Sequence, residues 1–403
     1  METPAPRSPA AAGGHAVGDA NARLTTPSKT RARATASTRT PLSQRAYAGL
    51  GRSEKSAVVV DIGQGSVLCG FAREARPRVE VDTPQPLRDL LAAGAKDERQ
   101  DWLDVVLALF QDIYFVHLQT KPRERRVHLA VRHHAPSALL NAVAEAVLVY
   151  FGAPSLYVSS CSGLALFPFG QRSGLVVDVG ALEARCLAVV EGAAVEPSFR
   201  ACSLEGASVE ALLRDNGCAE DSITQTVLEC LLATPRQARS LVLRNVVFCG
   251  GGAQQVSDGP ARLLQGLREI VSARPQYECL RHVVLEFAAV PRNAVDANGL
   301  AWLGASIGSC LDSFFARSVT LALFQDKPTL FGDGNFFWSP QLSRSRGGGG
   351  QISTGISDLS SVTTAEIATA GPNADDDNDE SSGTAHVVKY TMPAPETALS
   401  TKS

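Results

Sequence analysis

Three β-branched apolar runs recur along the chain, and each ends on glycine. Ser56–Ile62 (SAVVVDI) reads as a strand buried on both faces and leads into Gly63-Gln64-Gly65. Val67–Phe71 reads as its return strand. Ser173–Gly180 repeats the order strand, Asp, x, Gly, with Arg185–Val190 as the return and Glu191-Gly192 closing it. Asn245–Cys249 then enters Gly250-Gly251-Gly252.

Helical spacing fills the intervals. Trp102, Val105, Val106, Leu109, Ile113 and Val116 predict a helix over 101–118, stopping before Lys121-Pro122. Arg126–Val131 reads as a strand and Ser137–Phe151 as a helix with Ser137 as its N-cap. Ser155–Val158 is a short strand and Ser162–Phe167 a short helix. Helices are also predicted over Ile223–Leu232, Pro235–Leu243, Pro260–Ala273 and Leu300–Phe315. The stretch 77–102, with Pro84 and Pro86, has little strand pattern.

A strand–Asp-x-Gly hairpin thus occurs twice, at Asp61 and Asp178, followed by a strand–Gly-Gly-Gly–helix turn. Two such hairpins facing each other form a cleft in an α/β protein. Backbone N–H groups there can surround phosphates, and the two Asp can hold a metal through water. A single D-x-G means nothing, but the pair plus the glycine-rich helix start is a more selective pattern.

Composition narrows the class. The chain has 403 residues, 44% apolar and 20% charged, with a net charge of −3. Nine Lys or Arg against three Asp or Glu make residues 1–55 a basic flank, +6, while 341–403 carry −4. That leaves −5 for 56–340, which hold nearly all the strong apolar runs. Both flanks read as disordered tails, poor in the residues that offset ordering entropy.

The balance argues against direct nucleic-acid binding. No apolar stretch approaches the roughly 18 residues of a membrane span, and no apolar segment near Met1 suggests secretion. The nine scattered cysteines, without a C-x-x-C pair, read as reduced thiols of cytosol or nucleus. His133-His134 reads as a strand end whose rings point apart, so no metal site is expected. Lys121–Arg126 (KPRERR) reads as a basic turn, solvated or facing an acidic partner.

Several stretches, in order, resemble landmarks of actins and actin-related proteins. They are Val58–Gly65 with Cys69–Ala72, Pro154–Val158, Gly174–Gly180, Glu191-Gly192, Asn245–Gly251 and Ala301–Ile307. The resemblance covers most of 56–318. It implies an α/β, actin-like two-lobed fold, shared with Hsp70 and sugar kinases, with the small pointed-side subdomains reduced or missing. Its parts would be a tail (1–55), a first lobe (56–153), a second lobe (154–300, shortened near 207–240), a C-terminal helix and extension (301–340) and an acidic tail (341–403).

The resemblance places a nucleotide site at Asp61, Gly63, Gln64, Asp178, Gly180, Gly250 and Gly251. It also departs from the family pattern there. Leu68 stands where ATP-binding relatives place a Lys, Gln64 for a phosphate-contacting Ser, Cys161 for a water-positioning Gln, and Ala181-Leu182 for Asp-Gly. A lost cation beside a triphosphate forfeits about 1.5–3 kcal/mol. The expectation is ATP or ADP with magnesium held for structure only, or no nucleotide, and no catalytic residues.

Fewer than forty residues separate Leu204-Glu-Gly206 from Asn245, where actins have about a hundred. The resemblance therefore implies a subunit without its pointed face, which would end a filament. Its retained face would use an apolar cleft of Phe167, Phe169, Leu303, Ile307 and Leu311. Tyr114–Leu118, Lys121–Val127, Ala273–Tyr277 and Arg317–Val319 are more narrowly similar to the pointed-end class of dynactin's actin-related proteins. The expected partners are an actin-like filament subunit and other pointed-end subunits of a dynactin-like complex, in cytoplasm and cytoskeleton. The alternatives are a nuclear actin-related subunit of a chromatin remodeller and a weak ATPase of the same fold. Phe314-Phe315 and Phe336-Phe337-Trp338 are left between core edge and partner surface.

Overall fold

The computed structural model describes residues 55–93, 99–204, 208–214, 222–282, 284–288, 295–327, 331 and 387–390. The basic flank 1–54, Phe336–Trp338, Arg344–Gly350 and the acidic run Asp375–Glu380 lie outside them.

Val58–Ile62 (β1) is buried at every position and pairs antiparallel with Ser66–Phe71 (β2). Val79–Asp82 (β3) adds to the outer side of β2. Gln85–Ala93 (α1) and Arg99–Gln111 (α2) follow. Val127–Val131 (β4) lies parallel to β1, Ser137–Ala144 (α3) crosses over, and Leu156–Ser160 (β5) lies parallel to β4. Parallel neighbours need such crossovers, whereas the β1–β2 pair needs only a tight turn. The strand order is β3-β2-β1-β4-β5.

After a short helix, Cys161–Leu164 (α4), the plan is repeated. Gly174–Val179 (β6) and Glu183–Val190 (β7) form the hairpin, with Ala193–Ala194 (β8) and Arg200–Ser203 (β9) both antiparallel to β7. Between 208 and 242 the described residues form only helices: Val209–Arg214 (α5), Ile223–Ala233 (α6) and Arg236–Val242 (α7). Val246–Cys249 (β10) lies parallel to β6. Gly251–Gln254 (α8) and Gly259–Ala273 (α9) lead to Leu285–Ala288 (β11), parallel to β10. Leu300–Gly308 (α10) then returns to the first sheet, followed by Asp312–Phe315 (α11) and Leu321–Asp326 (α12). Val387–Tyr390 (β12) pairs antiparallel with β11.

The two halves therefore share a hairpin, an outer antiparallel strand and two parallel crossovers. Each has its own apolar core. Helix α10 ties the junction: Trp302 is fully buried and its indole N–H donates to the Val59 carbonyl at 3.2 Å.

Several expectations need correction. Leu156–Ser160 is the fifth strand of the first sheet, so the boundary between halves falls after 160 and not at 154. The short stretch after Pro77 does contain a strand, β3, whose Val-Glu-Val-Asp alternation suits an edge with one wet face. Ser137 is the first helical residue, and Pro136 occupies the cap position without a side-chain cap bond. The helix predicted over 300–315 breaks after Gly308, so that the Phe314 ring folds back; a β-carbon on Gly308 would stand 2.9 Å from it. Within the acidic tail, Val-Val-Lys-Tyr supplies strand β12.

Helices α2 and α3 each end in a π-helical turn, Asp112–His117 and Glu145–Tyr150, closed by bonds such as Leu118 N–H to Ile113 O and Phe151 N–H to Ala146 O, both 2.9 Å. The widened turns leave Phe115, Val116, Val149 and Tyr150 exposed on neighbouring helix ends.

Candidate functional site

Asp61 is the fourth residue of β1 and Asp178 the fifth of β6, so the repeated plan points both carboxyls into the space between the two hairpins. A cavity of about 290 Å³ lies there. It is lined by Asp61, Gly63, Gln64, Asp178, Gly180, Gly250 and Gly251, and also by Leu68, Arg132, Cys161 and Arg185. The structure thus gathers all seven residues expected at a nucleotide site. Gly250 has φ +96°, and a β-carbon there would stand 2.3 Å from the Val179 carbonyl. Its smallness is demanded by the fold itself, whether or not a ligand lies beside it.

Charge in the cavity is paired within the protein. Arg185, on β7, reaches Asp178 at 3.6 Å and Glu183 at 3.1 Å. Arg132, just after β4, donates to the same Glu183 oxygen at 2.9 Å and so links the two halves. The Cys161 thiol donates to Asp61 Oδ1 at 3.5 Å. Burial pushes the Asp61 carboxyl up to about 7, with Asp178 adding to the rise and the Cys161 thiol and Arg185 opposing it. Burial also raises Asp178, against the pull of Arg185. The thiols of Cys161 and Cys249 are held well above their usual range by burial, so neither is a ready thiolate.

As arranged, these residues do not fit a magnesium-chelated triphosphate. The two hairpin tips touch: a β-carbon on Gly65 would meet the Ala181 side chain at 3.0 Å. Asp178 already has a guanidinium where a hydrated cation would compete for it. A cavity of about 290 Å³ lies at the lower edge of ligand-sized clefts. Leu68 is buried at the cavity wall and adds no charge. The positive charge that the cleft does have, Arg132 and Arg185, was missed in the sequence. The signal was present, since Glu183, Arg185 and Leu187 alternate onto one side of β7.

The expected apolar cleft for a partner is closed. Phe167, Leu303 and Ile307 are buried in one cluster with Trp302 and Phe314, and Leu311 packs on its edge. The Phe314 ring meets Phe167 edge-on at 5.7 Å. Phe167–Phe169 is a 3₁₀ turn and not an open loop; Phe169 packs half-buried against a different cluster. Phe167, Leu303 and Ile307 act as core beside Phe314, while Leu311 and Phe169 are partly buried at the edges of two different clusters.

The basic turn is also partly spent on the fold. Arg125 lies 4.2 Å over the Phe71 ring and donates to the Ser56 carbonyl, Arg126 lies over Phe315, and Glu124 pairs with Lys55. Lys121 and Arg123 remain exposed. His133 and His134 stand together in a turn with Glu196, where the sequence pattern had them pointing apart along a strand.

No helix among the described residues is long and apolar enough to cross a membrane. The sequence profile of the actin family matches residues 100–217. Actin-like protein 7B of Macaca fascicularis is 28% identical over 163 residues, 34% of this chain and 39% of that protein. The human actin-like proteins 7B and 7A are 27% and 26% identical over 163 and 151 residues, covering 39% and 34% of their lengths. The matched part thus spans well under half of these relatives. With two mixed sheets built on one repeated plan and an actin-family segment at 100–217, this chain has an actin-like α/β fold and is similar over that segment to actin-like proteins.

Proposed function

We propose that this protein is a non-hydrolysing actin-related subunit that caps the pointed end of a short actin-like filament, in a dynactin-like complex supporting dynein-driven transport. The observation that carries the non-catalytic part is the contact between the two hairpin tips, with Arg185 already engaged on Asp178. In-line phosphoryl transfer depends on placed cations and a placed water, and Leu68 and Cys161 supply neither. Among the described residues of 208–242 only helices form, which favours a subunit without a full pointed face, on which a further subunit cannot dock. No direct contact with nucleic acid is part of this reading, and it places the protein in cytoplasm and cytoskeleton.

With the Phe167 cluster closed, the partner surface shifts to the π-helical ends. Phe115, Val116, Val149 and Tyr150 are 46–60% exposed and side by side, with Lys121 and Arg123 at the rim. Tyr114–Leu118 and Lys121–Val127, which carry the narrower resemblance, lie here. Aromatic residues ringed by charge are typical anchors for a partner.

The test is purification of the tagged full chain from its native cells, with subunit stoichiometry by mass spectrometry. The expected result is one copy alongside several copies of an actin-like subunit. The variant Phe115→Asp/Tyr150→Asp, altered only at exposed positions, is expected to lose those partners while melting like the parent. Recovery with a helicase-type ATPase and histone-binding subunits would move the protein to chromatin, and a lone monomer would end the scaffold reading.

A further inference from the structure

Away from the cleft, His133, His134 and Glu196 bring three ligand atoms within 4.8 Å of one another. Adjacent residues on a strand point apart, but β4 has ended at Val131 and His134 takes φ +56°. That left-handed step folds the two rings together, with centroids 4.3 Å apart. Glu196 begins a 3₁₀ turn between β8 and β9, in the other half of the fold. Its Oε2 lies 3.1 Å from His133 Nε2 and 3.5 Å from His134 Nε2.

We propose that His133, His134 and Glu196 form a zinc-class cation site that joins the two halves of the fold. Zinc bound by His and carboxylate at about 2.0–2.2 Å puts neighbouring tetrahedral ligands about 3.3–3.6 Å apart. The two separations from Glu196 match that edge to within about 0.2 Å, and all three ligand atoms lie within 4.8 Å of one another. Two imidazoles and one carboxylate are borderline ligands that suit zinc over calcium or magnesium.

The surroundings match such a site. Ser160 Oγ lies 3.4 Å from His133 Nδ1, which directs Nε2 toward Glu196, as outer partners do for metal-bound histidines. The Phe199 ring packs on both imidazoles, with centroids 5.3 and 4.8 Å away, and forms an apolar wall. His133 is buried, whereas His134 and Glu196 are half exposed, so an ion can enter and keep a water as fourth ligand. Arg185 also faces His133, but its charge is met by Asp178 and Glu183. Because the ligands come from turns in both halves, a bound ion cross-links the halves on the side where Arg132 pairs with Glu183.

The experiment uses the full chain carrying Cys218→Ser, Cys279→Ser and Cys310→Ser, which removes the two thiols that are exposed among the described residues, and Cys218 outside them, as competing ligands. After chelator treatment it is titrated calorimetrically with zinc chloride, and melting is followed with and without the metal. One zinc per chain is expected, with a raised melting temperature. His134→Ala and Glu196→Gln, both at half-exposed positions, are expected to fold as the parent does and to bind zinc at least about tenfold more weakly. The inference is overturned if zinc does not bind, or if it binds equally well to both variants; the cluster would then be a hydrogen-bonded contact only.

Discussion

Replacing Gly304 with Val is expected to leave no cooperatively folded protein. A β-carbon at 304 would stand 2.0 Å from the Leu164 carbonyl oxygen, and that obstacle is backbone, which cannot swing aside. Helices α10 and α4 touch main chain to main chain here, with Trp302 anchored on Val59 two residues away. Ordinary overpacking costs about 1–3 kcal/mol where side chains can yield. Here the helix itself must move, against a total stability of about 5–15 kcal/mol. Soluble yield and thermal melting report the effect, with Leu311→Ala at the edge of the cluster as the mild control. A Gly304→Val protein melting within a few degrees of the parent would show that α10 is loosely seated. Its Leu303 and Ile307 stripe would then again be free to serve a partner.

Replacing Asp61 with Asn is expected to stabilise the protein at pH 8 by several kcal/mol and hardly at all at pH 4. The folded protein keeps the Asp61 proton up to about pH 7, whereas the unfolded chain releases it near 3.8. Between those values the folded state binds the extra proton, so this group's stability is present below pH 4 and is lost as pH rises through 7. A shift of about three units corresponds to roughly 4 kcal/mol. The parent hides part of this slope. His128, buried between Ser309 and Ser159 at 2.8 Å each, is held down to about 3 by burial. The unfolded chain therefore gains a proton below about 6.5 that the folded state refuses, and stability falls on acidification. The two groups oppose each other between about pH 4 and 6.5. Urea unfolding of parent and Asp61→Asn at pH 4.5, 6 and 8 isolates Asp61, since His128 cancels in the difference. Parallel pH profiles would mean that Asp61 is as solvated in the fold as in the open chain.

The repeated hairpins were legible because β-branched runs ending on glycine have few other readings, and they led directly to Asp61, Asp178 and the cavity between them. Strand β3 was not, because four residues with a charge at every second place look like a turn until β2 is there to pair with. The π-helical ends keep the apolar spacing of an α-helix, so nothing in the pattern marked Phe115 and Tyr150 as exposed. A stripe such as Leu303, Ile307 and Leu311 reads identically as core or interface. Gly304 inside it was the available sign of close helix packing. The His133–His134 turn depends on a left-handed residue that is not glycine, which sequence rules place on a strand instead. Arg185 was visible as an inward position on β7, but its pairing with Asp178 needed the register of the sheet.

The proposed function rests on an actin-like fold in which magnesium–nucleotide chemistry is proposed to have been given up. Its most direct test is magnesium-dependent ATP binding and phosphate release by the purified full chain. The account predicts no magnesium-dependent binding and phosphate release no faster than in buffer. A burst of one phosphate per chain, dependent on magnesium and abolished by Asp178→Asn, would contradict it.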